Sequence, residues 1–249
     1  MTSSFPSKEE YGLDSELLYR FRTLCCILYA YFSMTENHSR PPLALPSLAT
    51  EEELKTELQK VLNLKIGNVR GVSLNSDTLK PIEALAGAGA LEKIQTKLTQ
   101  LGFDIDINHF KSYEWYPAGY EAALLLVAAH LYGWSEDDID KLGRVSTRGS
   151  MFSAIMMRFT SVEAMLRGGP EYWRKHYDYG EFVPIGHSEG EHSITFQIKG
   201  ASIHPILEIH VRGYFKGLIE LATGSENVVL QANKSAAQGD EYSEYTISW

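Results

Sequence analysis

Around residue 179 the apolar residues change period, and that change constrains the fold more than any other feature of the chain. Before it they recur at three- and four-residue steps, the spacing of one face of an α-helix. After it they alternate with polar residues, as in Ile194, Phe196, Ile198 and again in Tyr245, Ile247, Trp249, the spacing of a half-buried strand. Strands are predicted at Tyr179 to Ile185, Ser193 to Ile198, Asn227 to Ala232 and Tyr242 to Trp249. Between the second and third, residues 203–222 place Ile203, Leu207, Val211, Tyr214 and Leu218 on one helical stripe. The expected class is α+β: a helical N-terminal part packed on an antiparallel sheet built from a C-terminal β-β-α-β-β unit.

The helical part divides further. Residues 14–33 read as a helix capped by Asp14 or Ser15, with Leu17, Phe21, Leu24, Leu28 and Tyr31 on one stripe. The segment ENHSRPPLALPSLAT follows, and its three prolines cannot continue a helix. Residues 1–48 are therefore expected to be a helical extension and linker, and 49–249 the main domain. Thr50 opens a helix to about Leu62, with Glu51, Glu52 and Glu53 where the helix dipole favours acids. LKPIEALAGAGALEKIQTKLTQLG is helical with a soft centre, since Gly87 and Gly89 each cost roughly 1 kcal/mol relative to Ala. Either they allow close packing or the helix breaks there. A strongly apolar helix runs from about Pro117 to Tyr132 with Gly133 as its stop, and Ser135 caps the acidic turn that follows. Helical pieces continue to Leu166, and Pro170 starts another, PEYWRKHY.

Charge and motifs exclude several functions. The net charge is −9, with 32 acidic against 23 basic side chains and no run of Lys and Arg, so nucleic-acid binding is not expected. Cys25 and Cys26 are adjacent and no other cysteine exists, which argues for a reducing, cytoplasmic compartment. The start MTSSFPSKEEYG has neither the basic nor the apolar region of a signal peptide. The best apolar run, Ala118 to Leu131, is interrupted by Gly119, Tyr120, Glu121 and His130, so no transmembrane segment is expected. No Gly-x-Ser-x-Gly, phosphate-binding loop, His-Glu-x-x-His or dinucleotide fingerprint occurs, so an enzyme is not expected.

Three stretches, VRGVSLNSDTLKPIEALAGAGALEKI, SYEWYPAGYEAALLLVAAHLYG and RGYFKGLIELATGSENVVLQANKSAAQGDEYSEYTISW, carry a resemblance. Together they resemble a superfamily of 4-vinyl-reductase-type (hydrocarbon-binding) domains, TRAPP vesicle-tethering small subunits and haem-based nitric oxide sensors. The likeness is strongest to bacterial members sharing the Trp-Tyr-Pro element, and it spans about Lys65 to Trp249. Its most specific pieces are the helix with Gly213 and Gly217 and the run Ala237-x-Gly239-Asp240-x-Tyr242. The resemblance implies helices on one face of an antiparallel sheet, often with an apolar cavity between, and binding or assembly more than catalysis. One departure stands out: Ser235 and Ser243 occupy positions where 4-vinyl-reductase-type domains carry cysteines, so a soft-metal or redox role there is not expected.

The candidate ligand-binding residues are Trp115, Tyr116, His130, Gly213, Tyr214 and Gly217. Gly213 and Gly217, one turn apart, either let the helix lie close to the sheet or form a thin floor to a cavity. His130 shares a stripe with Ala123 and Leu126 and reads as a hydrogen-bonded core histidine. An axial haem ligand is the other reading, but the Tyr-x-Ser-x-Arg run that holds haem propionates in the sensors is absent. His187 and His192, with Glu189 and Glu191 between them, read as a polar hairpin loop in which Gly190 supplies the unusual backbone angle, with zinc as the alternative. Gly239-Asp240 is a turn. Tyr113, Trp115, Tyr116, Trp173, Tyr177 and Tyr179 form aromatic groups suited to a pocket, an interface or the core. The expected protein is a non-enzymatic sensor or regulatory domain that binds an apolar small molecule between helices and sheet, uses no cofactor or metal, and forms a homodimer. The alternatives are a protein-interaction or assembly subunit without a ligand, and then a haem-based gas sensor.

Overall fold

A capping box starts helix α1 (Glu51–Asn63). The Thr50 hydroxyl accepts from the Glu53 N–H at 3.2 Å, and the Glu53 carboxylate accepts from the Thr50 N–H at 2.9 Å. Two donors that a helix start leaves open are thereby satisfied. The computed structural model describes residues 43–149, 162–201 and 204–249. The helix expected over 14–33, with Cys25 and Cys26, lies outside the described residues, as does most of the segment before Val162.

Strand β1 (Asn68–Arg70) pairs antiparallel with β2 (Trp115–Pro117). Three residues are too few to show alternation, and periodicity did not predict either strand. Between them runs α2, built of an α-helical start (Gly71–Ser73), a π-helical turn (Leu74–Leu79) and an α-helical end (Lys80–Ala86). The AGAGA centre breaks the helix: Gly87 and Gly89 have φ of 90° and 81°, a backbone region that favours glycine. A Cβ on Gly87 would meet nothing within 4 Å, so close packing is not its role. Helix α3 (Ala90–Gln100) follows. Helix α4 (Gly119–Tyr132) starts two residues later than expected because Pro117 closes β2. Residues Ala122 to Ala129 are all buried, as a helix apolar on every side must be.

Helix α5 (Glu136–Gly149) is capped by Ser135, whose N–H and hydroxyl both donate to the Asp138 carboxylate at 2.9 and 2.7 Å. Helix α6 (Val162–His176) contains Pro170 within it, where a new helix was expected. A proline withholds one N–H from the carbonyl four residues back. The helix continues, with Met165, Leu166 and Gly169 buried before the proline and His176 buried after it, and Gly169 packs directly on Phe182.

The C-terminal unit is as predicted: β3 (Glu181–Ser188), β4 (Ser193–Lys199), α7 (Pro205–Thr223), β5 (Val229–Lys234) and β6 (Tyr242–Ser248). The sheet order is β3-β4-β6-β5, antiparallel throughout. Ile194 faces Ile247, Phe196 faces Tyr245 and Ile198 faces Ser243, and all six are buried, so one register sets the whole inner face. The fold is α+β. In the β3–β4 turn the positive φ belongs to His192, at 47°, and not to Gly190; the His192 ring packs near Trp249. Gly213 and Gly217 approach helix α5 and not the sheet: a Cβ on Gly213 would overlap the Asp140 carbonyl, and one on Gly217 would sit 2.7 Å from Thr147 Oγ1. No described helix is long and apolar enough to cross a membrane.

Candidate functional site

Packing of α6 and α7 over the sheet leaves a cavity of about 70 Å³. Its walls are apolar or aromatic, from Leu166 and Tyr172 on α6, Val211, Phe215 and Leu218 on α7, and Phe182 and Phe196 on the sheet. Its charged and polar lining includes Ser73 and Asp77 of α2, Glu121 of α4, His176 of α6 and His210 of α7. A second cavity of about 20 Å³ borders Glu121, Trp173, Tyr177 and Val211 as well. A mostly apolar hollow with a few convergent polar groups is the usual form of a small-molecule site.

Local backbone chemistry places the polar groups. Pro81 has no N–H to offer the Asp77 carbonyl four residues back. That carbonyl accepts from the Ser146 hydroxyl of α5 at 2.6 Å. Asp77 itself lies on the π-helical turn, an irregularity found often at functional sites. His210 Nε2 lies 3.2 Å from Ser146 Oγ. Since the single Ser146 proton goes to a carbonyl, Nε2–H is the donor and Nδ1 carries the lone pair. The contact that brings Ser146 to His210 is the close α5–α7 packing, in which a Cβ on Gly143 would overlap the His210 carbonyl.

Burial dominates the electrostatics. It pushes the Asp77 carboxyl up to about 7, against hydrogen bonds from Ser76, at 2.6 Å, and Ser73 that pull it down. It pushes Glu121 up to about 8, and the nearby Asp77 adds to the rise. The same desolvation lowers His176 and His210 to about 4; a bond to the Asp77 backbone favours charged His210 but does not offset burial. Both imidazoles are neutral at physiological pH. His210 Nδ1 stands 3.8 Å from Glu121 Oε1, too far for a hydrogen bond, and with both groups neutral it is no ion pair.

Ser73, His176 and Asp77 have the residue types of a nucleophilic triad in the wrong order. His176 Nδ1 meets Ser73 Oγ at 2.8 Å, but Asp77 bonds the serine and does not stand behind the histidine. An imidazole held near 4 is also a weak base at neutral pH. The chemistry available is hydrogen bonding and charge stabilisation within an apolar hollow.

Of the residues expected to bind ligand, Tyr214 lines the cavity. Gly213 and Gly217 face α5 on the same helix. Trp115 is half-exposed beneath the Arg70 guanidinium, 4.0 Å from its ring centre. Tyr116 packs on Phe110 and its hydroxyl accepts from the Lys111 N–H at 2.9 Å. His130 Nδ1 bonds the Leu48 carbonyl at 2.7 Å, a hydrogen-bonded histidine at the end of α4. None of these last three lines the cavity. Periodicity alone did not mark Asp77 and Glu121; the available signal was that Glu121 is the single acid in the apolar α4 sequence. Ser235 and Ser243 are buried, and both hydroxyls donate to Glu208 Oε2, at 2.8 and 3.4 Å. Arg212 meets the other oxygen at 3.1 Å, so the two serines serve a buried carboxylate. Among the described residues the one group with metal-ligand spacing is Glu163, His187 and Glu189, at the surface.

No family model matches the chain, and no curated protein matches its sequence. Solved structures match its fold. An H-NOX protein from S. oneidensis in the Fe(II)NO ligation state superposes with a TM-score of 0.53 at 12% identity, covering 72% of this chain and 98% of that one. The Fe(II) unliganded H-NOX protein from K. algicida gives 0.51 at 14% identity, covering 72% and 95%. An oxygen-binding H-NOX domain related to soluble guanylate cyclases gives 0.52 at 10% identity, covering 72% and 92%. The likeness to these H-NOX structures is one of fold.

Proposed function

We propose that this protein is a non-enzymatic sensor domain that holds a small, mostly apolar molecule in the cavity beneath α6 and α7. The observation that carries this reading is the cavity itself, apolar in its walls and polar in a few buried groups. Close-packed interiors keep few voids larger than a water molecule.

The iron ligation states and porphyrin of the solved neighbours raise haem as the ligand, and the residues present do not fit it. A cavity of roughly 150 Å³ takes one benzene ring, so 70 Å³ leaves no room for a four-pyrrole macrocycle. Among the described residues no Lys or Arg lines the cavity, while two buried carboxyls do, the reverse of what propionates need. Nor is either imidazole free to turn to an iron, since His176 and His210 are each tied to a serine. The ligand is therefore small.

Xenon, which enters dry apolar cavities, tests the reading. Titration followed by protein NMR is expected to give saturable shifts at Val211, Phe215 and Leu218. Val211→Phe, which fills the space, should abolish them without lowering the melting temperature. Absence of saturable shifts, or their survival in the variant, would overturn the cavity as a binding site. A Soret band in the purified protein would revive haem.

A further inference from the structure

Glu121 is 4% exposed and borders both cavities, yet among the described residues no hydrogen bond holds its carboxyl; His210 Nδ1 stands 3.8 Å from Oε1. A carboxyl at a cavity wall with no hydrogen bond from the protein is completed by something within the cavity. What completes it follows from the groups that face it.

Those groups are one-sided. His210 turns its lone pair, and not its N–H, towards Glu121, as its bond to Ser146 requires. Asp77 of α2 stands close enough to raise the Glu121 proton affinity by its charge. Tyr177 and Tyr179, after α6, and Tyr214 of α7 add hydroxyls and ring faces. His176 is tied to Ser73. No Lys or Arg lines either cavity among the described residues. Two carboxyls able to ionise, an imidazole lone pair and several aromatic faces all favour a donor that carries positive charge. An anionic ligand would meet no cation there.

We propose that Glu121 anchors a small protonated amine, a short alkylammonium that donates to the Glu121 carboxylate and the His210 Nδ1 lone pair while its chain lies along the wall of Val211, Phe215 and Leu218. The proposal rests on the cavity reading above and names its ligand class. Proton balance follows. Free Glu121 holds a proton at neutral pH because burial raises it to about 8. Binding of R–NH₃⁺ stabilises the carboxylate, and the carboxyl proton passes to the buffer; no covalent bond forms or breaks.

The test is calorimetry on the full-length protein at about pH 6, where Asp77 and Glu121 both begin protonated, in two buffers of different ionisation enthalpy. The probes are n-propylamine, n-propanol and propionate. The amine is expected to bind at least tenfold more tightly than the alcohol and to release about one proton, and propionate is expected not to bind. Glu121→Gln should lose the preference and the proton release while keeping alcohol binding. Equal binding of amine and alcohol, no proton release, or an unchanged amine affinity in the variant would overturn the proposal. If the variant does not fold, proton release by the unaltered protein decides alone. Xenon or alcohol binding without amine preference would leave the cavity reading standing and defeat this one; no binding of any probe would defeat both.

Discussion

Glu121 and Asp77 make opposite demands on the folded state from those of a surface carboxylate, because both are buried. Their ordinary values of 4.5 and 3.8 rise to about 8 and about 7 on burial. A raised folded value means that the stability these groups contribute is whole below about pH 4 and is lost as pH rises through about 8. His176 and His210 run the other way. Lowered from 6.5 to about 4, they contribute stability above about pH 6.5 that is lost as pH falls through about 4. Of these four groups only the carboxyls act between about pH 6.5 and pH 8. Stability is therefore expected to increase as pH is lowered through that window, by up to about 1.4 kcal/mol per pH unit for each carboxyl. Below it the carboxyl and histidine slopes oppose each other. Glu121→Gln should flatten the upper slope. Urea unfolding midpoints measured across the window check this, and a midpoint that climbs with pH would refute it.

At the scale of elements, the α5–α7 contact organises the site. Gly143 and Gly213 bring the two backbones together, and the same contact sets Ser146 against His210 and the Asp77 carbonyl. Ion pairs flank it, Lys216 with Asp140 at 2.7 Å and Arg144 with Glu220 at 2.6 Å; partly exposed as they are, each is worth no more than about 1 kcal/mol. The glycines matter more, since a side chain there meets backbone that cannot move aside. Gly213→Leu is expected to destabilise the fold by about 1–3 kcal/mol through overpacking, read as a lower melting temperature. An unchanged melting temperature would mean that the helices separate without cost. The Gly-Tyr-x-x-Gly pattern was legible as a close-packing signal in the sequence, but its partner was not. The residues it meets lie some seventy positions earlier in the chain, and no local pattern names them.

At the largest scale, Leu43–Trp249 forms a compact unit. Leu43 is buried, and Leu45 and Leu48 pack on the same core. The stripe read in residues 14–33 lies outside the described residues, and its partner stays a proposal: a lone amphipathic helix is marginal in water, and a closed two-fold dimer is the commonest way for a soluble chain to bury such a face. Deleting residues 1–42, which spares Leu43, is expected to convert a dimer into a folded monomer by light scattering. A monomeric full-length protein, or a dimeric truncated one, would remove the helix as the contact.

Periodicity by itself determined the α+β class, the C-terminal β-β-α-β-β unit and most element ends to within two or three residues, because a helix or a half-buried strand writes its own repeat into neighbouring positions. Capping at Thr50 and Ser135 was legible for the same reason, each cap and its partner lying three residues apart. Only the tertiary structure decided the rest. It carried Pro170 through the middle of α6, gave the α7 glycines a helix for a partner, and turned Asp77, Glu121, His176 and His210 towards one hollow while Trp115, Tyr116 and His130 stand elsewhere. Those four side chains come from four helices and span more than a hundred positions. Their meeting depends on through-space packing and on desolvation, and neither leaves a local repeat to read.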